Sequence, residues 1–166
     1  MELTFKIGSP ADFDEAEKSK FLSLLQKQGQ NDHPGEYALE ACPYLCMVHS
    51  DGETIGIGAI KELYRLGFDY AGAKKLKHDF EAELGYLFVD DGAKDGNFRN
   101  LGIGKTITRL LLKTVGNENI FATTEFDSAN PMLHILKSLG FKKSGKTYVG
   151  SATGKKLGLM LRFKEA

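Results

Sequence analysis

The sequence predicts an α/β fold of the α+β type, with helices flanking one mixed, mostly antiparallel central sheet. Two observations lead to this fold class. Short apolar runs of strand length alternate with amphipathic helical segments. The composition, 42% hydrophobic and 27% charged, is ordinary for a globular protein. Because 166 residues suit one hydrophobic core, we expect a single domain over residues 1–166.

The first half of the chain predicts a strand, a helix and a hairpin. The strand covers residues 3–7. The helix is expected to start at Ser9 as N-cap, with Pro10 in its first position, and to end near Gly29. The tetrapeptide "SDGE" between two apolar runs is typical of a β-hairpin turn.

In the second half of the chain, the first segment has no regular hydrophobic pattern, whereas the later segments do. Residues 64–80 show no clean period, and we interpret them as a long excursion that contains one short helix. The mostly apolar segment "AELGYLFVD" predicts a central strand. The remaining elements are a helix, a strand, a helix and an antiparallel pair of strands, at 102–116, 120–126, 129–140, 141–151 and 155–163.

Charge and composition exclude several classes of partner. The chain carries 22 basic and 22 acidic residues, so no overall positive field favours nucleic acid. The apolar runs are too short to span a bilayer, and the first residues do not resemble a signal peptide. Cys42 and Cys46 lack the further ligands that a metal site needs, so we interpret them as reduced thiols in or near the core. We expect a cytoplasmic protein without a metal.

The segment "NFRNLGIGKT" at 97–106 contains a glycine motif with three candidate interpretations. A nucleoside-triphosphate loop would need glycine where Arg99 stands, although "GKT" matches the end of that motif. A dinucleotide fingerprint would need glycine where Ile107 stands. The third interpretation, Arg-x-x-Gly-x-Gly before a helix, fits Arg99, Gly102 and Gly104.

This arrangement suits a diphosphate for physical reasons. Backbone amides of residues 100–105 would face outward at the positive end of a helix. Glycine at 102 and 104 would let the ligand approach the backbone, and Arg99 and Lys105 would add positive charge. A glycine-rich turn without any ligand is the alternative.

In this context the chain resembles the GCN5-related N-acetyltransferase (GNAT) superfamily. The family's acetyl-CoA loop is Arg/Gln-x-x-Gly-x-Gly/Ala after its fourth strand, which "AELGYLFVD" resembles. The family's later helix ending in Leu-Gly-Phe is similar to "NPMLHILKSLGF" at 130–141. The resemblance implies a GNAT-like fold and acetyl-CoA as co-substrate. The link from Val89 to Arg99 is longer than is usual in the family.

The resemblance also implies which residues contact the cofactor. Backbone amides of the fourth strand would receive the reacting carbonyl, and the glycine loop would hold the diphosphate. Asn130 matches an asparagine that the family often carries after its fifth strand, although it would also serve as a helix cap. The predicted cofactor residues are Phe88, Val89, Arg99, Asn100, Leu101, Gly102, Ile103, Gly104, Lys105 and Asn130.

The catalytic residues are predicted from the same resemblance. Glu83 is the candidate base, because some members carry a glutamate on this strand; a solvated strand end without a role is the alternative. Many members use a tyrosine as acid where this chain has Leu136. Tyr148 is a candidate substitute, or else a half-buried packing residue.

The acceptor is expected to be a small-molecule or protein amine. Residues 64–80 would line its site, with Tyr64, Phe68 and Tyr70 as a wall. Three lysines there would attract an anionic acceptor or would simply form a solvated face: Lys74, Lys75 and Lys77. Because Leu136 replaces the tyrosine, a non-catalytic acyl-CoA-binding or sensing module is the alternative function. A homodimer remains open.

Overall fold

A computed structural model describes residues 2–29, 35–92, 98, 101–151 and 153–166. The strands are β1 Leu3–Gly8, β2 Tyr44–Ser50, β3 Glu53–Lys61, β4 Ala82–Val89, β5 Ile120–Glu125, β6 Lys142–Val149 and β7 Lys156–Arg162. The α-helices are α1 Glu15–Gln28, α2 Glu36–Glu40, α3 Leu66–Tyr70, α4 Ile103–Val115 and α5 Pro131–Ser138. Two 3₁₀ turns cover Pro10–Asp12 and Lys74–Asp79.

The seven strands form one sheet in the order β1-β2-β3-β4-β5-β7-β6. β4 and β5 pair in parallel, whereas β1 with β2, β2 with β3, β5 with β7 and β6 with β7 pair antiparallel. The predicted fold class, a mixed and mostly antiparallel sheet flanked by helices, is confirmed. β4 is the middle strand, as its apolar sequence predicts.

The predicted start of the first helix is wrong by several residues. Ser9 and Pro10 begin the short 3₁₀ turn instead, and Phe13 then adopts an extended backbone while its ring is buried. α1 starts after Asp14, whose carboxylate accepts from the Glu17 amide at 2.7 Å. Glu17 in turn accepts from the Asp14 amide at 3.0 Å, which completes a capping box. Burial of Phe13 therefore displaces the helix start.

Of the two short helices in irregular segments, one was predicted from the sequence and one was not. α2 at Glu36–Glu40 was not predicted, because five residues are too few to display a helical period. The excursion at 64–80 contains the expected short helix, α3, and in addition a 3₁₀ turn that the sequence did not predict. The hairpin is also confirmed, with Asp51 and Gly52 both at positive φ in its turn.

Contacts divide the chain into two compact units, the first formed by residues 1–62 and 86–114. Its main core lies between α1, α2 and one face of the strands, with Phe21, Leu25 and Met47 fully buried. On β3 the alternate residues Gly56 and Gly58 lie on the face that α4 covers.

The second unit consists of residues 63–85 and 115–166. Its core is aromatic: Phe68 of α3 packs against Phe80 and Phe121, with ring centroids 5.6 and 4.9 Å apart. Leu159 and Leu161 of β7 complete this core. The single domain over residues 1–166 stays a prediction.

Both cysteines lie in the first unit and are free thiols. Cys46 is fully buried, and burial raises the pKa of its thiol to about 12. Cys42 is also buried, and its Sγ donates to the Ala38 carbonyl at 3.2 Å. Within the described part of the chain, no helix is long and apolar enough to cross a bilayer.

Candidate active site

The N-terminus of α4 lies at the glycine motif. Gly102 has φ +73, and a Cβ there would meet no described atom within 4 Å. The Thr106 amide donates to the Gly102 carbonyl at 2.9 Å, which is the first bond of the helix. The amides of residues 103–105 therefore have no hydrogen-bond acceptor within the helix. Arg99 and Asn100 lie outside the described residues.

Apolar side chains around the motif anchor it to the first unit. Phe98 and Ile103 are buried, whereas Leu101 is about half exposed at 49%. Lys105 is half-buried, as is Gly104. Of the predicted diphosphate contacts, the structure thus describes residues 101–105, all in one turn at the positive end of a helix.

Glycine on β3 brings α4 close to the sheet. A Cβ at Gly58 would lie 2.6 Å from Cγ2 of Ile107 and 3.1 Å from Cδ1 of Leu111. At Gly56 it would lie 3.3 Å from Cδ1 of Ile107. The "GIG" of β3 therefore sets the depth at which α4 packs, and with it the position of the helix N-terminus.

The end of β4 carries the predicted carbonyl-binding residues. Phe88 and Val89 are both half-buried, and Phe88 packs against the core beside α1. The Leu87 carbonyl accepts from Nε2 of Gln28 at 2.7 Å. Just before this point Tyr86 has φ +58, a left-handed conformation that is unusual for a non-glycine residue.

The start of β4 pairs in parallel with β5 in the second unit. Ala82 pairs with Ile120 and Glu83 with Phe121. The roles of Phe88 and Val89 toward the thioester carbonyl stay predictions.

Glu83 is buried, so the alternative of a solvated strand end is excluded. Its side chain is 4% exposed. Oε1 accepts a hydrogen bond of 2.7 Å from the Tyr64 amide, which fixes the carboxylate against the chain before α3. A general base must also lie within hydrogen-bond reach of the proton that it removes, so the catalytic role of Glu83 stays a prediction.

Tyr148 lies on β6 within range of the Glu83 charge. Burial is the main cause that raises the pKa of its phenol; the Glu83 carboxylate raises that pKa further, and a hydrogen bond with Thr123 opposes both. A Cβ at Gly67 would lie 2.8 Å from the Tyr148 hydroxyl and 3.3 Å from Oγ1 of Thr123. Glycine at 67 therefore makes room for the phenol, which stays a neutral proton donor at neutral pH.

Of the three residues predicted to form an aromatic wall, two are accessible and one is buried. Tyr64 and Tyr70 are about half exposed, at 53% and 49%. The Tyr70 ring lies 5.4 Å from that of Tyr148. Phe68, in contrast, is fully buried in the aromatic core and cannot line an accessible site.

The irregular shape of β6 positions Tyr148. The register with β7 shifts between Ser144 and Tyr148, and Gly145 there has φ +70. The Lys146 amide donates to the Ala71 carbonyl at the end of α3, at 2.8 Å. The strand is thereby tied to the helix that carries Tyr70.

Asn130 is the N-cap of α5. Its Oδ1 accepts from the Met132 amide at 3.1 Å, while Nδ2 donates to Thr124 Oγ1 at 2.9 Å and to the Glu125 carbonyl at 2.8 Å. The capping alternative is therefore what the structure supports. A contact with the cofactor stays a prediction.

Leu136 is fully buried on α5. Its carbonyl accepts from the Phe141 amide at 3.0 Å, in the turn that contains Gly140. A side chain without polar atoms, buried in this way, cannot transfer a proton. Any acid in this protein must come from another position.

The lysines of the 64–80 segment do not form a common cluster. Lys77 pairs with Asp69 at 3.3 Å, whereas Lys74 and Lys75 are exposed. Arg65, on the same segment, donates to the Phe80 carbonyl at 3.0 Å and to Glu81 at 3.1 Å. These cations favour the solvated-face interpretation over attraction of an anionic acceptor.

Two residues that shape this region could not be recognised from the sequence. Thr123 and Gly67 shape the surroundings of the Tyr148 hydroxyl, yet neither belongs to a recognisable motif. Period-2 alternation on β5 places Thr123 on the same face as Phe121. Only the packing of α3 against that face brings the two residues to Tyr148.

The fold is similar to those of solved acyltransferases over nearly the whole chain. An acyl-CoA N-acyltransferase from Pseudomonas aeruginosa has a TM-score of 0.67 and 13% identity, covering 97% of this chain and 99% of that one. Arabidopsis thaliana NAA60 with a bisubstrate analogue has a TM-score of 0.67 and 13% identity, covering 98% of both. A chain of the NatC complex bound to Gag peptide and CoA has 0.70 and 15%, covering 100% of both.

Similarity is detected at the level of structure. No protein-family model matches the sequence, and no curated protein does. The chain has the fold of the GNAT acyl-CoA N-acyltransferases, so the predicted resemblance is confirmed at that level.

Proposed function

We propose that this protein is an N-acetyltransferase that transfers the acetyl group of acetyl-CoA directly to a primary amine. The observation that carries this proposal is the first turn of α4, in a chain with the GNAT fold. This turn presents the amides of residues 103–105 next to Gly102, where an added Cβ would meet no described atom within 4 Å. A helix N-terminus stabilises an anion through both its amides and its dipole.

The residues of this turn fit a diphosphate. Gly102 leaves the backbone uncovered, and the half-buried Lys105 adds a cation in the same turn. Arg99 and Asn100 are assigned to the same ligand from the sequence motif. When bound, acetyl-CoA would supply a thioester, whose thiolate leaves readily because its pKa is only about 8.5.

Glu83 would act as the base. An alkylammonium has a pKa of about 10.4, so the acceptor must lose a proton before its nitrogen can attack. The carboxylate is buried and held by the Tyr64 amide, and general bases of this type contribute roughly 10²-fold to 10⁴-fold to the rate.

Tyr148 would act as the acid. Its phenol is neutral at physiological pH, because burial and the Glu83 charge raise its pKa. It would donate its proton to the departing sulfur, the role that Leu136 cannot perform. Amides of Phe88 and Val89 would donate to the carbonyl oxygen of the thioester.

A substitution in the first turn of α4 tests cofactor binding. We expect Gly104→Glu to weaken coenzyme A binding at least about 100-fold in isothermal titration, because it places bulk and negative charge against the diphosphate. Thr114→Glu is the matched control, since it adds the same side chain at the exposed far end of α4. Equal coenzyme A affinities of the two variants would contradict the assignment of this turn as the diphosphate site.

Glu83→Gln tests catalysis separately from binding. We expect coenzyme A affinity to be unchanged and kcat, followed by thiol release with an amine panel, to fall roughly 100-fold or more. Glu81→Gln is the control, because Glu81 is largely exposed. A kcat equal to that of the control would exclude Glu83 as the base.

The alternative function, a non-catalytic acyl-CoA-binding module, is favoured by the complete burial of Leu136. It predicts coenzyme A binding that Gly104→Glu abolishes, together with no thiol release from any amine. The same two measurements therefore separate the two functions.

A further inference from the structure

The last turn of α1 contacts the end of β4 on both sides of residues 88–89. Nε2 of Gln28 donates to the Leu87 carbonyl at 2.7 Å, and Nζ of Lys27 pairs with the Asp90 carboxylate at 2.8 Å. All of these residues belong to the first unit. The end of the strand is therefore tied to one helix at the two positions that flank the predicted carbonyl-binding amides.

α1 is well suited to position this part of the strand, because both of its ends are capped. The capping box at Asp14 closes its N-terminus, and Gly29 ends it at φ +73. Phe21, on the same face of the helix as Gln28, meets the Tyr86 ring edge-on with the centroids 6.5 Å apart. Because Tyr86 is left-handed and interrupts the regular pleat, the peptide groups after it depend on such contacts for their orientation.

The Leu87 carbonyl and the Phe88 N–H belong to the same peptide group. Since resonance keeps this group planar, a bond that holds its oxygen also fixes the direction of its N–H. A hydrogen bond accepted by the oxygen polarises the group and makes the N–H a stronger donor. Gln28 therefore acts on the Phe88 amide from behind, through one peptide group.

We propose that Gln28 is a positioning residue for acyl transfer, which orients and polarises the Phe88 amide toward the oxygen of the thioester carbonyl. This inference rests on the proposed function, since it concerns the bond from that amide to acetyl-CoA. The resemblance to the GNAT family implies the strand amide, whereas the α1 side chain behind it is identified by its bond to Leu87. The negative charge on the oxygen is largest in the tetrahedral intermediate, so Gln28 should contribute to kcat more than to cofactor binding.

Gln28→Met removes the donor but keeps the length and the helix propensity of the side chain. Gln26→Met is the matched control, because Gln26 is exposed on the same helix. Gln28→Glu is a second variant, which keeps the shape of the side chain and replaces the donor by a negative charge. Thermal melting of the three variants verifies that each comparison concerns folded protein.

The infrared stretching frequency of the thioester carbonyl reports on the Phe88 amide, because it falls as the hydrogen bonds to this oxygen become stronger. We expect acetyl-CoA with an isotopic label at this carbonyl to absorb at a lower frequency when bound to wild type than when free. Gln28→Met and Gln28→Glu should recover part of that difference, whereas Gln26→Met should match wild type. Equal frequencies in the Gln28 and Gln26 variants would overturn the proposal.

Kinetics provide an independent test. In thiol release, kcat of Gln28→Met should be roughly threefold to tenfold below that of Gln26→Met, because weakening an oxyanion donor costs less than the roughly 10²-fold or more that its deletion costs. Coenzyme A dissociation constants of the two variants should agree within about twofold. Equal kcat values would overturn the proposal, and so would a loss that lies entirely in cofactor binding.

Failure of this inference can be distinguished from failure of the proposed function. If wild type binds coenzyme A and all variants keep the carbonyl frequency of wild type, only the role of Gln28 is defeated. If wild type does not bind coenzyme A, the proposed function is defeated and the inference falls with it.

Discussion

The N-terminus of α4 and the cluster of Tyr64, Tyr70, Glu83 and Tyr148 are proposed to contact ligands through groups of opposite kinds. At α4 the groups are peptide amides in one continuous turn, left accessible by glycine. In the cluster they are side chains from four separate segments, held by hydrogen bonds and ring contacts. The first site should therefore be sensitive to crowding of the backbone, and the second to loss of individual side chains or of the elements that position them.

The largest expected effect concerns the backbone that positions the cluster. A Cβ at Gly145 would collide with the Ala71 carbonyl, and φ +70 disfavours any side chain there. Gly145→Ala should therefore cost about 3 kcal/mol or more of unfolding free energy.

Gly154→Ala separates the steric collision from the backbone strain as causes of the destabilisation. Gly154 has φ +69 but no described atom within 4 Å of the new Cβ, so only backbone strain should be felt, at about 1 kcal/mol. Urea unfolding of both variants measures the difference. If the two variants were equally stable, the contact between β6 and α3 would not matter.

The next effect concerns the packing of α4 against β3. Gly58→Ala should destabilise the protein by about 1–3 kcal/mol, because its Cβ overlaps Ile107 and Leu111, and should also weaken coenzyme A binding by moving the helix. Gly56→Ala, with its nearest contact at 3.3 Å, should have a smaller effect on both. Thermal melting and calorimetric titration provide the readouts. The reverse ranking would contradict the packing.

Gly67→Ala is expected to act on function more than on stability. Its methyl group would push the Tyr148 hydroxyl, the mobile end of a side chain, while alanine favours helix by about 1 kcal/mol. We expect Tm to change little and kcat in thiol release to fall several-fold. The control is Gly35→Ala, in open space at negative φ. A kcat equal to that of the control would indicate that Tyr148 has no role in catalysis.

The smallest effect is a pH dependence of stability. The pKa of Tyr148 is raised from its ordinary 10.0, chiefly by burial, so the folded state holds this proton more tightly than the unfolded chain does. Its contribution to stability is complete below the unfolded pKa and is lost as pH rises through the folded pKa. Between about pH 9 and about pH 11, wild type should lose more unfolding free energy than Tyr148→Phe. Parallel curves would contradict this burial effect.

The comparison between the α4 turn and the cluster explains which features could be predicted from the sequence. The α4 site is continuous in the chain, and its function requires glycine at fixed spacing before a helical period, so Gly102 and Gly104 were recognisable. Most strands were predicted for a related reason, since alternation and turn residues such as Asp51 and Gly52 are local signals.

The cluster could not be assembled from local signals. Glu83 and Tyr148 were named as individual candidates, but their proximity depends on β6 reaching α3 through the bulge at Gly145. Phe68 was misplaced because residues 64–80 lack a period that separates a core aromatic from an exposed one such as Tyr70. The start of α1 was missed since burial of Phe13 overrode the N-cap signal at Ser9.

The two cysteines have a practical consequence for enzymology. A reagent that detects released thiols is attacked by thiolates, and a thiol with a pKa of about 12 supplies almost no thiolate at neutral pH. Cys46 is sealed from solvent, and Cys42 is 3% exposed with its sulfur bonded to a carbonyl. The folded protein should thus give a low background in a colorimetric assay, and a rising background would itself report unfolding.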